Sequence, residues 1–172
     1  MSALKDRIRH VPDFPKPGIL FYDITTLLRE PEGFRDAVDA LTEPFRDAGI
    51  DLVVGIESRG FILGAAVAGR LDAGFVPVRK IGKLPSATVR VTYDLEYGSD
   101  SLEIHEDAVR RGQRVLVVDD LLATGGTAAA TVDLIGRTGG VVNAVAVLIE
   151  LTDLGGRAKL NGHDLHAVLQ YP

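Results

Sequence analysis

Val115-Leu116-Val117-Val118-Asp119-Asp120-Leu121-Leu122-Ala123-Thr124-Gly125-Gly126-Thr127 decides the fold of this chain. The aliphatic run Val115 to Val118 reads as a strand buried on both faces, as in a parallel sheet. It ends in two adjacent carboxylates, Asp119 and Asp120. Ala123-Thr124-Gly125-Gly126-Thr127 then opens an apolar pattern of helical period that runs to Arg137. A loop of small residues therefore joins the carboxyl end of a strand to the start of a helix. Free backbone N–H groups and the positive end of the helix dipole converge in such a loop, which makes it an anion site, most often for phosphate. The glycines let the backbone approach a ligand closely, and Thr124 and Thr127 add hydroxyl donors.

The same alternation extends outward. Asp51 to Ile56 reads as a strand, and Glu57-Ser58-Arg59-Gly60-Phe61 turns into a small-residue helix from Ile62 to Leu71. Phe75 to Val78 is a third strand, Thr88 to Tyr93 alternates as a strand does, and Leu102 to Arg111 is expected to be helical. Val141 to Ile149 is another buried strand and Leu165 to Tyr171 a last one. Upstream, Phe34, Val38, Leu41 and Phe45 recur at helical spacing after Pro31. Ser2 to His10 is expected as a short helix with Leu4 and Ile8 on one face, and the Pro-marked stretch from Pro12 to Gly18 as extended chain. The pattern predicts one α/β domain over 1–172, with a mainly parallel twisted sheet flanked by helices. Ligands in such sheets lie beyond the carboxyl ends of the strands, where both Glu57 to Gly60 and Asp119-Asp120 fall.

An acid pair alone is more often a cap or a turn former than a ligand site. Beside a phosphate cradle it would repel a bare phosphate. It fits a phosphate carrying a sugar whose vicinal hydroxyls donate to the carboxylates, which describes a ribose 5-phosphate. The loop lacks the Lys of a Walker A motif, and no Gly-x-Gly-x-x-Gly fingerprint occurs.

Composition bounds the rest. With 172 residues, 46% of them hydrophobic, the chain can bury one full-sized core. The absence of cysteine excludes disulfides, thiolate metal sites and a Cys nucleophile. No apolar run reaches a membrane span and Met1 to Asp6 has no apolar signal core, so a cytoplasmic protein without a membrane partner is expected. A net charge of −5, with acids and bases interspersed, argues against a nucleic-acid partner. His10, His105, His163 and His166 show no metal spacing and no metal ligand is assigned.

The quoted stretch closely resembles the signature of the type I phosphoribosyltransferases, which bind 5-phosphoribosyl 1-pyrophosphate (PRPP). Further segments are similar to those of the adenine-specific family. They are Phe14-Pro15-x-Pro17-Gly18-x-x-Phe21-x-Asp23-Ile24, Glu57-Ser58-Arg59-Gly60-Phe61, and Arg79-Lys80-x-Gly82-Lys83-Leu84-Pro85 with Tyr93-x-Leu95-Glu96-Tyr97-Gly98. Glu150-Leu151 and Leu169-Gln170-Tyr171 extend the likeness over nearly the whole chain, with departures at Thr88–Thr92 and Tyr22. The resemblance implies transfer of a phosphoribosyl group from PRPP to adenine, giving AMP and pyrophosphate, with Mg²⁺ carried on phosphate oxygens and water. It also implies a homodimer, because a basic residue at the position of Arg79 can reach a neighbouring subunit's site. A small N-terminal base-binding hood is expected over about 1–30, on a core over about 31–172.

The residues fit the implied roles. The 5′-phosphate would lie on Ala123, Thr124, Gly125, Gly126 and Thr127, and the ribose on Asp119 and Asp120, which also offset positive charge on the ring in the transition state. Ser58 backbone N–H and the forked guanidinium of Arg59 suit pyrophosphate. Arg79, Lys80 and Lys83 form a cationic cluster, and with the polar stretch that follows to Tyr97-Gly98 it is expected as a mobile lid excluding water. Extended backbone at Leu20, Phe21 and Tyr22 offers a carbonyl and an N–H to adenine, with Phe21 stacked on the ring. Glu96 is the candidate acid/base near N7 or N9. The rival readings are a phosphoribosyltransferase for another purine, such as xanthine, and a non-catalytic PRPP-sensing regulator. The second would need a nucleic-acid-binding part, for which the acidic chain shows no room.

Overall fold

Strand alternation sorts the aliphatic residues to two faces. In the computed structural model, which describes residues 2–94 and 98–172, the chain runs through the following elements. The N-terminal part contains α1 (Ser2–Lys5), β1 (Arg9–Pro12), β2 (Leu20–Asp23), α2 (Thr25–Leu28) and α3 (Pro31–Thr42). Next come β3 (Leu52–Ile56), α4 (Arg59–Leu71), β4 (Gly74–Lys80), β5 (Thr88–Asp94) and β6 (Ser99–His105). The chain ends with β7 (Arg114–Leu122), α5 (Gly126–Thr138), β8 (Val141–Leu151) and β9 (Leu165–Tyr171).

The main sheet has the order β5-β6-β4-β3-β7-β8-β9. Neighbours from β4 to β9 are parallel, and the β5–β6 hairpin adds to β4 antiparallel at one edge. Leu116 and Val118 of β7 pack with Val53, Leu63, Val67 and Ala146 on the α3–α4 side. Val115 and Val117 pack with Val54, Leu134, Ile135 and Val145 on the α5 side. Each such side chain, buried from water, contributes about 1.5–3 kcal/mol. The mainly parallel α/β sheet flanked by helices is thus as the sequence predicts. Among the described residues, no helix is long and apolar enough to cross a membrane.

Four local expectations are corrected. The first helix stops at Lys5, and Arg9 and His10 instead enter β1, which pairs antiparallel with β2 and places Val11 opposite Phe21. Of the stretch from Pro12 to Gly18 only Pro12, at the end of β1, runs extended. The rest turns, with Asp13 and Gly18 at positive φ and the Ile19 N–H donating to the Lys16 carbonyl at 3.3 Å, so β1 and β2 form a hairpin. Leu102 to His105 is strand, not helix, because Leu102, Glu103 and Ile104 pair along β5 and are all buried. Finally, β7 does not end at the acid pair. Its long partner β8 continues the ladder to Leu121–Ile149 and Leu122–Glu150, so Asp119 and Asp120 lie within the strand.

Candidate active site

The loop after β7 folds as its small residues dictate. Gly125 caps α5 at φ +80°, a conformation that favours glycine, and a Cβ there would lie 2.3 Å from the Gly156 carbonyl oxygen. Gly156 belongs to a 3-10 turn, Gly156–Leu160, and its own added Cβ would sit 2.2 Å from the Ala123 oxygen. Two backbones therefore touch directly behind the loop. In front, Ala123 to Thr127 and Asp119 line a small cavity of about 100 Å³, the size of one phosphate group. The turn carrying Gly156 is fastened by Arg157, which grips buried Glu150 with Nε–Oε1 at 3.0 Å and Nη2–Oε2 at 2.7 Å. The Arg157 guanidinium and the Gln170 amide outweigh burial and hold the Glu150 carboxyl below its ordinary range.

The acid pair divides its work. Asp120, 7% exposed, receives the Arg59 guanidinium at the start of α4. Asp119 lines the small cavity, and its Oδ1 accepts the Asp120 N–H at 2.9 Å. That same oxygen would lie 2.7 Å from a Cβ on Gly60, so only glycine lets α4 begin this close to β7. Low-dielectric surroundings, and then the charge of Asp120 beside it, push the Asp119 carboxyl well above its ordinary value.

The β1–β2 hairpin forms one wall of a second cavity, of about 700 Å³, with Arg59 on the opposite side. Phe21 faces into it, its ring 5.0 Å from that of Phe14 and 5.3 Å from the Arg59 guanidinium carbon. Tyr22 points the other way, 4.2 Å from the Tyr171 ring, and Leu20 is 44% exposed. Of these three side chains, only that of Phe21 lines the cavity. Asp23 is held at about 2 by the Thr25 hydroxyl and N–H, with Arg9 contributing through a 2.6 Å ion pair.

Of the expected pyrophosphate residues, Arg79 and Lys80 share one carboxylate on a different edge. Arg79 Nε donates to Glu57 Oε2 at 3.0 Å, and that oxygen also accepts the Lys80 N–H at 3.1 Å. Lys80 pairs through its ammonium with Asp100. Lys83 is exposed. Ser58 is the exposed N-cap of α4. Tyr93 ties β5 to the phosphate loop, its hydroxyl 3.0 Å from Thr127 Oγ1. Glu96 and Tyr97, which the sequence places in the lid, lie outside the described residues.

Sequence reasoning missed Glu57, Asp100, Glu103 and Gly156. Glu57 stands in a quoted motif, so its position carried a signal, whereas Gly156 stands in none. Asp100 and Glu103 sit in a stretch that was expected to end in a helix.

The glycine-built loop after β7, the acid pair beside it and the basic residues of α4 and β4 stand at the carboxyl ends of the parallel strands, and the phosphoribosyl transferase domain family matches residues 23–165. A curated adenine phosphoribosyltransferase of Solibacter usitatus is 60% identical over 171 residues, covering 99% of either chain. The chain belongs to the adenine phosphoribosyltransferase family. The crystal structure of the Rhodothermus marinus adenine phosphoribosyltransferase superposes with a TM-score of 0.95 at 57% identity, over 99% of this chain and 97% of that one. The Saccharomyces cerevisiae enzyme, in complex with adenine and an imino-altritol bisphosphate, gives 0.93 at 42% identity over 98% and 97%.

Proposed function

We propose that this pentosyltransferase joins adenine to PRPP with the residues assembled above, releasing AMP and pyrophosphate in purine salvage. One observation carries the placement. The Arg59–Asp120 ion pair links the two cavities, since Arg59 lines the larger and Asp119, beside Asp120, lines the smaller. A molecule with a base at one end and a 5′-phosphate at the other would span them with its ribose over the acid pair. The 5′-phosphate then lies on Ala123 to Thr127, and the pyrophosphate on Ser58, Arg59, Lys80 and Lys83.

Adenine lies against Phe21. Along the outer edge of β2, alternate residues turn both C=O and N–H away from β1. Such a carbonyl and N–H match the amino donor and N1 acceptor of adenine. A 6-oxopurine presents the reverse pair, at about 1–3 kcal/mol for each buried group left unpaired. N9 attacks the anomeric carbon as the bond from that carbon to the pyrophosphate oxygen breaks. The N9 proton passes to a base, for which Glu96 is the candidate, and the leaving oxygens take up negative charge facing Arg59 and the lysines.

Magnesium fits this site as a passenger on PRPP, because the hard ion prefers phosphate oxygens and water, and Asp119 and Asp120 are the carboxylates at hand. It would neutralise diphosphate charge. The reading includes a cytoplasmic homodimer. Support for the dimer is the apolar face around Phe61, whose ring lies 6.0 Å from that of Phe75, next to Ile62 at 47% exposure. Arg79 stacks on Phe61 at 5.8 Å and is the residue through which a second subunit would bear on the site.

The test is AMP formation from PRPP and Mg²⁺ with adenine, hypoxanthine, guanine or xanthine offered separately. Turnover with adenine alone is expected; turnover only with another base keeps the PRPP site and removes the argument from β2. Tight PRPP binding without turnover on any base would favour a sensor. Phe21→Ala, in the same assay, should raise the adenine KM roughly tenfold, for the loss of about 1–1.5 kcal/mol of stacking, and leave the PRPP KM unchanged.

A further inference from the structure

We infer that Glu103 is a positioning residue for the pyrophosphate arm, folding the backbone of residues 82–84 around its carboxylate so that Lys83 faces the ligand. The inference rests on the reading of Lys80 and Lys83 as pyrophosphate ligands.

Glu103 is 1% exposed, in β6 opposite Arg79 of β4 and Arg90 of β5. Its Oε1 accepts three consecutive N–H groups, from Gly82 at 2.9 Å, Lys83 at 3.1 Å and Leu84 at 3.2 Å. Its Oε2 accepts the Thr88 hydroxyl at 3.2 Å and meets Arg90 Nε at 3.3 Å. Burial raises the carboxyl, but the Leu84 amide, the Thr88 hydroxyl and the other two amides outweigh it, so the group stays below its ordinary range and is anionic at neutral pH.

A buried carboxylate is an expensive way to hold a strand, since an apolar residue would pack without desolvating a charge. What an apolar residue could not do is gather successive N–H groups into one concave nest. Gly82, at φ +80°, supplies the backbone turn that such a nest requires. With the amides drawn inward, side chains and carbonyls of the loop face out. The Lys83 carbonyl accepts Arg79 Nη1 at 3.2 Å, and Arg79 is in turn held by Glu57, immediately before Ser58 and Arg59. Glu103 thus organises the arm through its backbone. Among the described residues the Lys83 ammonium has no partner, which leaves it for a ligand.

The experiment compares Glu103→Gln with the parent enzyme in pyrophosphate affinity, AMP affinity, KM for adenine and melting temperature. The glutamine keeps the shape, loses the charge and presents one N–H₂ where an acceptor is needed. Pyrophosphate affinity should weaken about tenfold, the difference made by one charge-assisted bond. AMP, which carries base and 5′-phosphate but no diphosphate, should bind within about twofold of the parent. Equal loss for both ligands, or for neither, would overturn the inference. Should Glu103→Gln fail to fold, Thr88→Val removes one donor to the same carboxylate. It should reproduce the selective loss at smaller size, with Thr88→Ser restoring the parent value, and an unchanged pyrophosphate affinity in Thr88→Val would count against the inference. Lys83→Ala separates the two readings. If it leaves pyrophosphate binding intact, the assignment of the arm fails; if it weakens binding while Glu103→Gln does not, only the positioning role fails.

Discussion

Asp119→Asn should lower kcat by roughly 10²–10³-fold while making the protein, free of substrate, more stable at neutral pH. The two effects have one cause. The carboxylate sits in low-dielectric surroundings beside the charge of Asp120, which raises its pKa well above the ordinary 3.8. An acid whose native pKa is raised imposes no penalty below its unfolded pKa. The penalty grows as pH rises from there through the native pKa, and then stays constant. The asparagine side chain carries no charge, can still accept the Asp120 N–H, and so avoids the penalty. In the transition state the same negative charge faces a ribose ring turning positive, where it stabilises. Thermal melts across pH should show the variant gaining on the parent as pH rises and converging with it in acid. A variant no more stable at neutral pH would remove the electrostatic argument. Adding Asp120→Asn should abolish turnover, and near-normal kcat/KM in that double variant would refute the role of the pair.

Gly156→Ala is the second large effect, and it comes from a residue outside the cavity. The new methyl would meet the Ala123 oxygen at 2.2 Å and the Gly125 nitrogen at 2.9 Å, both backbone atoms that cannot rotate away. Overpacking of this kind costs about 1–3 kcal/mol. The turn itself is fixed by the Glu150–Arg157 clamp, so the phosphate loop is the part that yields. With each 1.4 kcal/mol worth about a factor of ten, kcat/KM for PRPP should fall roughly 10- to 100-fold, with the adenine KM little changed. Gly69→Ala is the comparison. Gly69 lies exposed in α4 with nothing within 4 Å of its added Cβ, so alanine there should stabilise by about 0.4–1 kcal/mol without touching activity. Equal PRPP kinetics in the two variants would show that the loop does not depend on its backing.

The parts of this structure that were legible in the sequence are those where local pattern and tertiary role coincide. Val115 to Val118 is buried on both faces and reads so; Gly125 turns the chain and reads so. Where a residue's role depends on a distant partner, the pattern misleads. His10 looks like one more helical residue, yet it is in β1 because its ring packs at 5.1 Å on Tyr22 and 5.8 Å on Tyr171. Glu103 falls in the stretch expected to be helical, but three amides from a preceding loop hold it in a buried strand. Phe21 was legible through the resemblance alone, and pairing in β2 is what sends Tyr22 to the core and Phe21 to the cavity. The contact of Gly156 with Gly125 joins two loops separated by β8 and leaves no periodic trace.

Three cations of the site have anions of their own: Arg59 is held by Asp120, Lys80 by Asp100 and Arg79 by Glu57. A diphosphate bound as proposed would exchange places with anions the chain already provides, instead of shedding bulk counterions from bare cations. Its affinity should therefore decline less steeply with ionic strength than the number of basic residues suggests, and Asp100→Asn should steepen that decline. Titrations of pyrophosphate across a salt series would read both slopes.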